Sequence, residues 1–251
     1  MLEIPKNRLA TVTGITQDQV SRVSALAADR AKRVPLQHLT GRAPFRHLDL
    51  AVGPGVFVPR PETESMVGWG LDRLADTLAG NPTPLVVDLC AGSGAIALSV
   101  AYEHPGARVV AVERLPGALS WLRRNAACSS IEIVDGDATS PEILSDLDGR
   151  VDLVLCNPPY VPSASPVAPE VADHDPAPAV FAGTDGLAVI RGILPRAAAL
   201  LRPGGALAIE HDDSHGEAVP ALLRAAGFAE VADHRDLTGR PRFTTGYRVR
   251  S

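Results

Sequence analysis

Leu85-Val86-Val87-Asp88-Leu89-Cys90-Ala91-Gly92-Ser93-Gly94-Ala95-Ile96-Ala97 is the stretch that decides the fold. An apolar run of strand length ends on a carboxylate, passes two glycines and re-enters an apolar segment of helical character. Gly92 and Gly94 permit a tight turn and a close approach of backbone to a ligand, with free N–H groups at the start of the following helix. The pattern Gly92-x-Gly94-x-x-Ala97 also satisfies a dinucleotide fingerprint, with Glu113 about 20 residues further on. Asp88 tips the balance: at the strand end before the glycines, a carboxylate repels a pyrophosphate and can hold an ammonium group.

Outward from this loop the pattern is regular. Apolar strand candidates fall at 85–89, 109–112, 131–134, 151–156 and 206–209, with helical stretches at about 95–103, 116–127, 186–201 and 215–226. Unbroken apolar strands alternating with helices imply a parallel sheet buried on both faces. Alternating runs at 228–235 and 243–249, separated by Thr238-Gly239-Arg240-Pro241, predict a closing antiparallel pair. The expectation is a doubly wound, mostly parallel, seven-stranded Rossmann-like α/β domain over 82–251. Ahead of it, 1–81 forms a smaller element on the substrate side. This begins with a helix over 16–34, capped by a Thr16/Gln19 box and carrying Val20, Val23, Ala27 and Val34 near helical spacing. A β-hairpin follows over 43–58, punctuated by Gly53-Pro54-Gly55, and then a helix with Pro61 at its first position runs to about Leu78. Asn81-Pro82-Thr83-Pro84 breaks the two parts.

Composition narrows the function. The chain has 251 residues, 45% hydrophobic and 21% charged, which is ordinary for a globular protein. Its 24 basic and 29 acidic residues leave a net charge of −5, without the positive footprint of a protein that tracks a nucleic-acid backbone. No run reaches the about 18 apolar residues a membrane span needs, and Met1–Asn7 lack a signal-peptide core. Three cysteines (Cys90, Cys128, Cys156) form no C-x-x-C pair, and the odd count disfavours a disulfide framework. A cytoplasmic setting is expected.

Ligands of doubly wound sheets bind outside the carboxyl ends of the strands. Asp88, Leu89, Cys90, Ala91, Gly92 and Gly94 therefore form the first candidate loop. Glu113, ending the second strand, can accept two hydrogen bonds from a ribose diol. Asp137, followed by Ala138, is placed to accept from an adenine amino group, although an Asx-turn explains it nearly as well. The sharpest signal is Asn157-Pro158-Pro159-Tyr160 after the fourth strand. Two prolines supply no N–H, so the loop presents acceptors, the Asn157 side-chain oxygen and the Pro158 carbonyl, to both hydrogens of a planar NH₂ group. Tyr160 offers a flat face for stacking. Elsewhere, His211 and His215 bracket two aspartates but lack a third ligand and read as a solvated loop. Cys90 and Cys156 read as small packed groups at adjacent strand ends, Trp69 and Trp121 as core or docking residues on helices, and Arg123-Arg124 as a short solvated patch.

Together these residues resemble the S-adenosylmethionine-dependent methyltransferases. More narrowly, they resemble the protein-(glutamine-N5) methyltransferases, the HemK/PrmC family that modifies peptide-chain release factors. The matching pieces are Pro35–Gly41 (PLQHLTG), Val56–Glu64 (VFVPRPETE), the Asp88–Gly94 loop, Glu113 and Asn157–Tyr160. Cys90-Ala91 stand where Gly-Thr is more usual, His38 where Tyr is common, and fewer residues precede the match than the family's helical N-terminal domain contains. The resemblance implies S-adenosylmethionine as cofactor, giving S-adenosylhomocysteine. It implies a glutamine amide gripped by Asn157, Pro158, Pro159 and Tyr160, Phe57 as a wall of the glutamine pocket, and a release factor as the protein partner. Three other readings stay open: an exocyclic-amino methyltransferase of nucleic acid, acting for example at adenine N6; an NAD-dependent oxidoreductase; and a non-catalytic binding module on the same fold.

Overall fold

The structure, a computed structural model, describes residues 14–77 and 83–249. The expected helix end at Leu78, the Asn81-Pro82 break, the 81/82 domain boundary and Met1–Asn7 lie outside the described residues. Seven strands form one sheet: β3 (Leu85–Leu89), β4 (Arg108–Glu113), β5 (Glu132–Asp135), β6 (Val151–Cys156), β7 (Leu201–Glu210), β8 (Phe228–Arg235) and β9 (Pro241–Arg248). Their spatial order is β5-β4-β3-β6-β7-β9-β8. The pairs from β5 to β7 are parallel, and β9 runs antiparallel to both β7 and β8. Strand order reverses between β3 and β6, and the loops that follow these two strands carry the glycines and Asn157.

Side chains of β3 alternate between two buried faces. Leu85, Val87 and Leu89 join Val154, Leu207 and Ile209 beneath α8 (Ala188–Leu200) and α9 (Ala218–Ala225). Val86 joins Leu153, Leu155 and Ala208 beneath α3 (Thr63–Thr77), α4 (Ala95–Glu103) and α5 (Pro116–Asn125). Burial on both faces is why these strands read as continuous apolar runs.

In the front element, α1 (Gln17–Ala31) carries the expected capping box: Gln19 N–H donates to Thr16 Oγ1 and Thr16 N–H to Gln19 Oε1. The helix stops before Val34 and buries none of its residues. A short α2 (Leu36–Thr40) ends on Gly41 at φ 72°, followed by a hairpin of β1 (Arg42–Phe45) and β2 (Leu48–Ala51). The hairpin turns at Arg46-His47, not at Gly53-Pro54-Gly55, and 52–62 is irregular rather than a second strand. Arg46 accepts a φ of 50° because its N–H donates to Glu64 and its guanidinium grips Glu103 through two bonds of 2.6 and 2.7 Å. The glycines after the hairpin serve close packing: a Cβ on Gly53 would strike the Trp121 ring. Pro61 lies in the turn before α3, whose first helical residue is Thr63. Phe45, Leu50 and Met66 share one core with β3 and β6, so hairpin and α3 are packed onto the sheet.

Two short helices, α6 (Pro169–His174) and α7 (Ala177–Val180), follow Tyr160; the predicted helix over 215–226 divides into a 3₁₀ turn (Asp213–His215) and α9. His211 and His215 do not form a solvated loop. Both are buried; His211 Nε2 lies 2.9 Å from Thr244 Oγ1 and 3.1 Å from Asp233 Oδ1, and His215 Nε2 lies 3.0 Å from the Asp185 carbonyl. Their partners come from β8, β9 and the loop before α8, which local sequence does not disclose. Among the described residues no helix is long and apolar enough to cross a membrane.

Candidate active site

A cleft of about 1120 Å³ opens at the carboxyl ends of β3, β4 and β6. Its floor at one end is the glycine loop. Gly92, at φ 58°, has open space where a Cβ would stand, so a ligand can approach its backbone. Gly94, at φ 90°, begins α4 with no side-chain cap. Asp88 compensates from inside the core: its Oδ2 accepts from Ala97 N–H at 3.0 Å, the third residue of the helix. Its Oδ1 is buried without a hydrogen-bond partner. Burial pushes the Asp88 carboxyl well above the usual range, the Ala97 bond opposes this and the charge on Glu113 adds to it. Glu113 locks the loop to β4, its Oε2 accepting from Gly92 N–H and its Oε1 from the N–H groups of Arg114 and Leu115. A carboxylate offers about four acceptor positions, so one is left for a hydroxyl of a ligand.

At the other end stand Asn157, Pro158, Pro159 and Tyr160, all lining the cleft. Asn157 Nδ2 donates to Thr63 Oγ1 at 3.1 Å, so the loop after β6 is joined to the first residue of α3. With the nitrogen committed, the Asn157 oxygen is the free acceptor. Tyr160 Oη donates to Glu210 Oε1 at 3.0 Å, and Glu210, at the end of β7, is 1% exposed. The adjacent wall is Phe57, with the Arg60 guanidinium 4.7 Å over its ring. Arg60 also bonds Asp175 at 2.9 Å beyond α6; burial lifts the Asp175 carboxyl to about 6 against the pull of Arg60. The rim is closed by Arg30 and Arg33 on the α1 side, both paired with Glu170 of α6 at 2.9 Å.

The Methyltransferase small domain profile matches residues 63–172, from Thr63 through the Asn-Pro-Pro-Tyr loop. A release factor glutamine methyltransferase of Mycolicibacterium smegmatis is 49% identical over 249 residues, covering 99% of this chain and 87% of that protein. One from Streptomyces coelicolor is 51% identical over 96% of this chain and 85% of its own length. The chain belongs to the release factor glutamine methyltransferase family. A solved methyltransferase from Pyrococcus furiosus superposes with a TM-score of 0.56 at 17% identity, over 93% of this chain and 100% of that one, which supports the fold.

In the glycine loop of this release factor glutamine methyltransferase, Cys90 has a φ of 67°, the region glycine favours. Of the residues singled out by sequence, the cleft gathers Phe57, Cys90, Ala91, Gly92, Glu113, Asp137, Ala138 and Asn157 to Tyr160, while Asp88, Leu89 and Gly94 stand behind its wall. Asp137 forms the Asx turn that was its plainer reading: Oδ1 accepts from Thr139 N–H and Oγ1, and Oδ2 pairs with Arg114 at 3.0 Å. Burial lifts its carboxyl, but these bonds and Arg114 hold it below the usual range. Cys156 is buried beside Cys90, and burial pushes its thiol well up, as packed thiols behave. Sequence reasoning assigned no role to Thr63, Glu210 or the Arg60–Asp175 pair. Thr63 and Arg60 lie within the Val56–Glu64 motif, and Glu210 obeys the strand-end rule already used for Glu113.

Proposed function

We propose that this protein transfers a methyl group from S-adenosylmethionine to the side-chain amide nitrogen of a glutamine in a peptide-chain release factor, in the cytoplasm. The observation that carries this reading is the oxygen-lined Asn157-Pro158 ledge held by Thr63, in the same cleft as the glycine loop. The cleft exceeds the ~300–1,000 Å³ of ordinary small-molecule pockets, leaving room for a donor and an inserted side chain. At the donor end, open space at Gly92 and the one remaining acceptor position of Glu113 suit a nucleoside hydroxyl; Asp88, behind the wall, suits a role in ordering α4 through its Oδ2 bond to Ala97 more than direct contact. S-adenosylmethionine, when bound, supplies an electrophilic sulfonium methyl.

This chain's residues supply position and polarisation. A carboxamide nitrogen is a poor nucleophile because its lone pair is delocalised. Asn157 Oδ1 and the Pro158 carbonyl accept its two hydrogens, raise electron density on nitrogen and stabilise the positive charge that develops there. Pro158 and Pro159 keep the ledge rigid, and Tyr160 and Phe57 wall the flat amide so that nitrogen meets the methyl in line. As the N–C bond forms and the C–S bond breaks, one N–H proton is released; an N-protonated amide is acidic enough to lose it to water. The front element, 1–81, with Arg30 and Arg33 at the rim, faces the protein substrate, and 82–251 carries the donor.

The test is methyl transfer to a purified release factor by the wild type and Asn157→Ala. The expected result is a mass gain of one methyl on a glutamine and a kcat loss of about 100- to 1,000-fold for the variant, with donor binding retained. A variant at near-normal kcat refutes the assignment.

A further inference from the structure

After the Asn-Pro-Pro-Tyr loop the chain departs at Val161 and comes back beside it at Phe181. Val161 N–H donates to the Val180 carbonyl at 3.0 Å and Ala182 N–H to the Val161 carbonyl at 2.9 Å, which pins both feet of an arch over 162–180. Val167, Ala168, Val171 and Pro176 of the arch line the cleft, as do Phe57 and Arg60 from the segment before α3. The longer helix of the arch, α6, has six residues and buries none of them, so neither its length nor core packing fixes where it stands.

Among the described residues, ion pairs join the arch to the front element at two places. At the rim Glu170 meets Arg30 and Arg33, whose side chains are 43% and 54% exposed. Exposed pairs of this kind are screened by water and salt and hold weakly. Asp175, directly after α6, meets Arg60 at 2.9 Å, and the Asp175 side chain is fully buried. Removing one partner of a buried pair strands the other charge, so this tie is the firmer of the two. The same guanidinium lies 4.7 Å over the Phe57 ring. A flat cation stacked on an aromatic ring and bonded to a carboxylate is held by both, and so links Phe57 to the arch.

We propose that Arg60 is a positioning residue that holds Phe57 and the arch at a fixed gap, and that this gap sets how strictly the cleft selects glutamine. The inference rests on the proposed function, in which Phe57 walls the substrate amide and the Asn157-Pro158 ledge grips it. A fixed gap limits how far the substrate main chain can enter, so side-chain length decides whether the NH₂ group reaches the ledge. Asparagine, one methylene shorter, falls short. With the gap loosened, the main chain sinks further between Phe57 and the arch, and the shorter amide reaches the same acceptors.

The test measures kcat/KM for a release factor and for the same protein carrying asparagine in place of the accepting glutamine. At pH 8 Asp175, lifted by burial to about 6, is ionised and the tie is intact. The wild type should favour glutamine by about 10- to 200-fold, the worth of one methylene. Arg60→Ala and Asp175→Asn should each lower that ratio about tenfold, with donor affinity by calorimetry changed less than about twofold. Arg60→Lys keeps the charge for Asp175 and loses the flat face for Phe57, so it should fold like the wild type and still lose selectivity. Partial unfolding lowers the rates on both substrates in the same proportion, so the ratio separates positioning from a merely structural role. Should Arg60→Ala not fold, Arg60→Lys and Asp175→Asn decide. A ratio changed less than about threefold in the folded variants, or a wild type that takes asparagine as readily as glutamine, overturns the proposal and leaves the functional reading standing. A wild type that methylates no glutamine overturns the functional reading, and this inference with it.

Discussion

Holding Glu210 in the cleft wall should cost stability in a way that depends on pH. Its carboxyl moves from 4.5, the ordinary value, to about 7 on folding, chiefly through burial. For an acid whose pKa is raised by folding, the contribution to stability is complete below about 4.5 and is lost as pH rises through about 7. A shift of that size corresponds to about 3 kcal/mol at alkaline pH. Gln does not titrate, so Glu210→Gln should gain on the wild type as pH rises. Between about pH 5.5 and about pH 8 the gap should widen by about 2 kcal/mol, then stay level. The constant cost of altering the hydrogen bond to Tyr160 cancels in this difference. Urea unfolding of both proteins at the two pH values measures it directly. A gap unchanged within about 0.5 kcal/mol would refute the reasoning, since it would mean that Glu210 keeps an ordinary carboxyl pKa when folded.

Gly186 has φ 74°, and a Cβ there would strike the Tyr160 carbonyl; Gly186→Ala should lower kcat about 10- to 100-fold by shifting that loop, with donor affinity measured by calorimetry little changed. Cys90→Gly should relieve a left-handed residue; strain of about 1–2 kcal/mol, less the added freedom of glycine in the unfolded chain, leaves a gain of up to about 1 kcal/mol in urea unfolding. Leu155 is fully buried between β6 and α3, so Leu155→Ala should cost about 2–5 kcal/mol and lower Tm by about 2–4 °C per kcal/mol in calorimetry.

The sheet was legible because its strands carry a double burial in their own letters: 85–89 and 151–156 are apolar on both faces, and their ends mark where chemistry sits. The hairpin was read less well. Gly53-Pro54-Gly55 is the stronger local turn signal, yet the chain turns at Arg46-His47, where no glycine stands. That turn is held by Glu64 and Glu103, acids 18 and 57 residues away in sequence, and no local pattern reports such partners. His211 shows the same limit, since burial comes to it from Thr244 and Asp233. In the site, the Asn-Pro-Pro-Tyr loop announces itself because two prolines strip a loop of donors. The residues that orient it do not: Thr63 comes from 94 residues upstream, and Glu210 from 50 downstream of Tyr160, so only the fold brings them together.

The placement of β9 between β7 and β8 has a consequence for how the protein matures. A nascent chain stopped near residue 240 has made β8 but has no neighbour to seat it against β7, which keeps a bare edge of unpaired backbone groups. The sheet is therefore completed only when β9, paired with its neighbour β8, docks on β7, a long-range step before which the bare edge leaves the half-built molecule prone to sticking to its own kind. Truncations or bulky fusions that reach β9 should then lower the yield of folded protein.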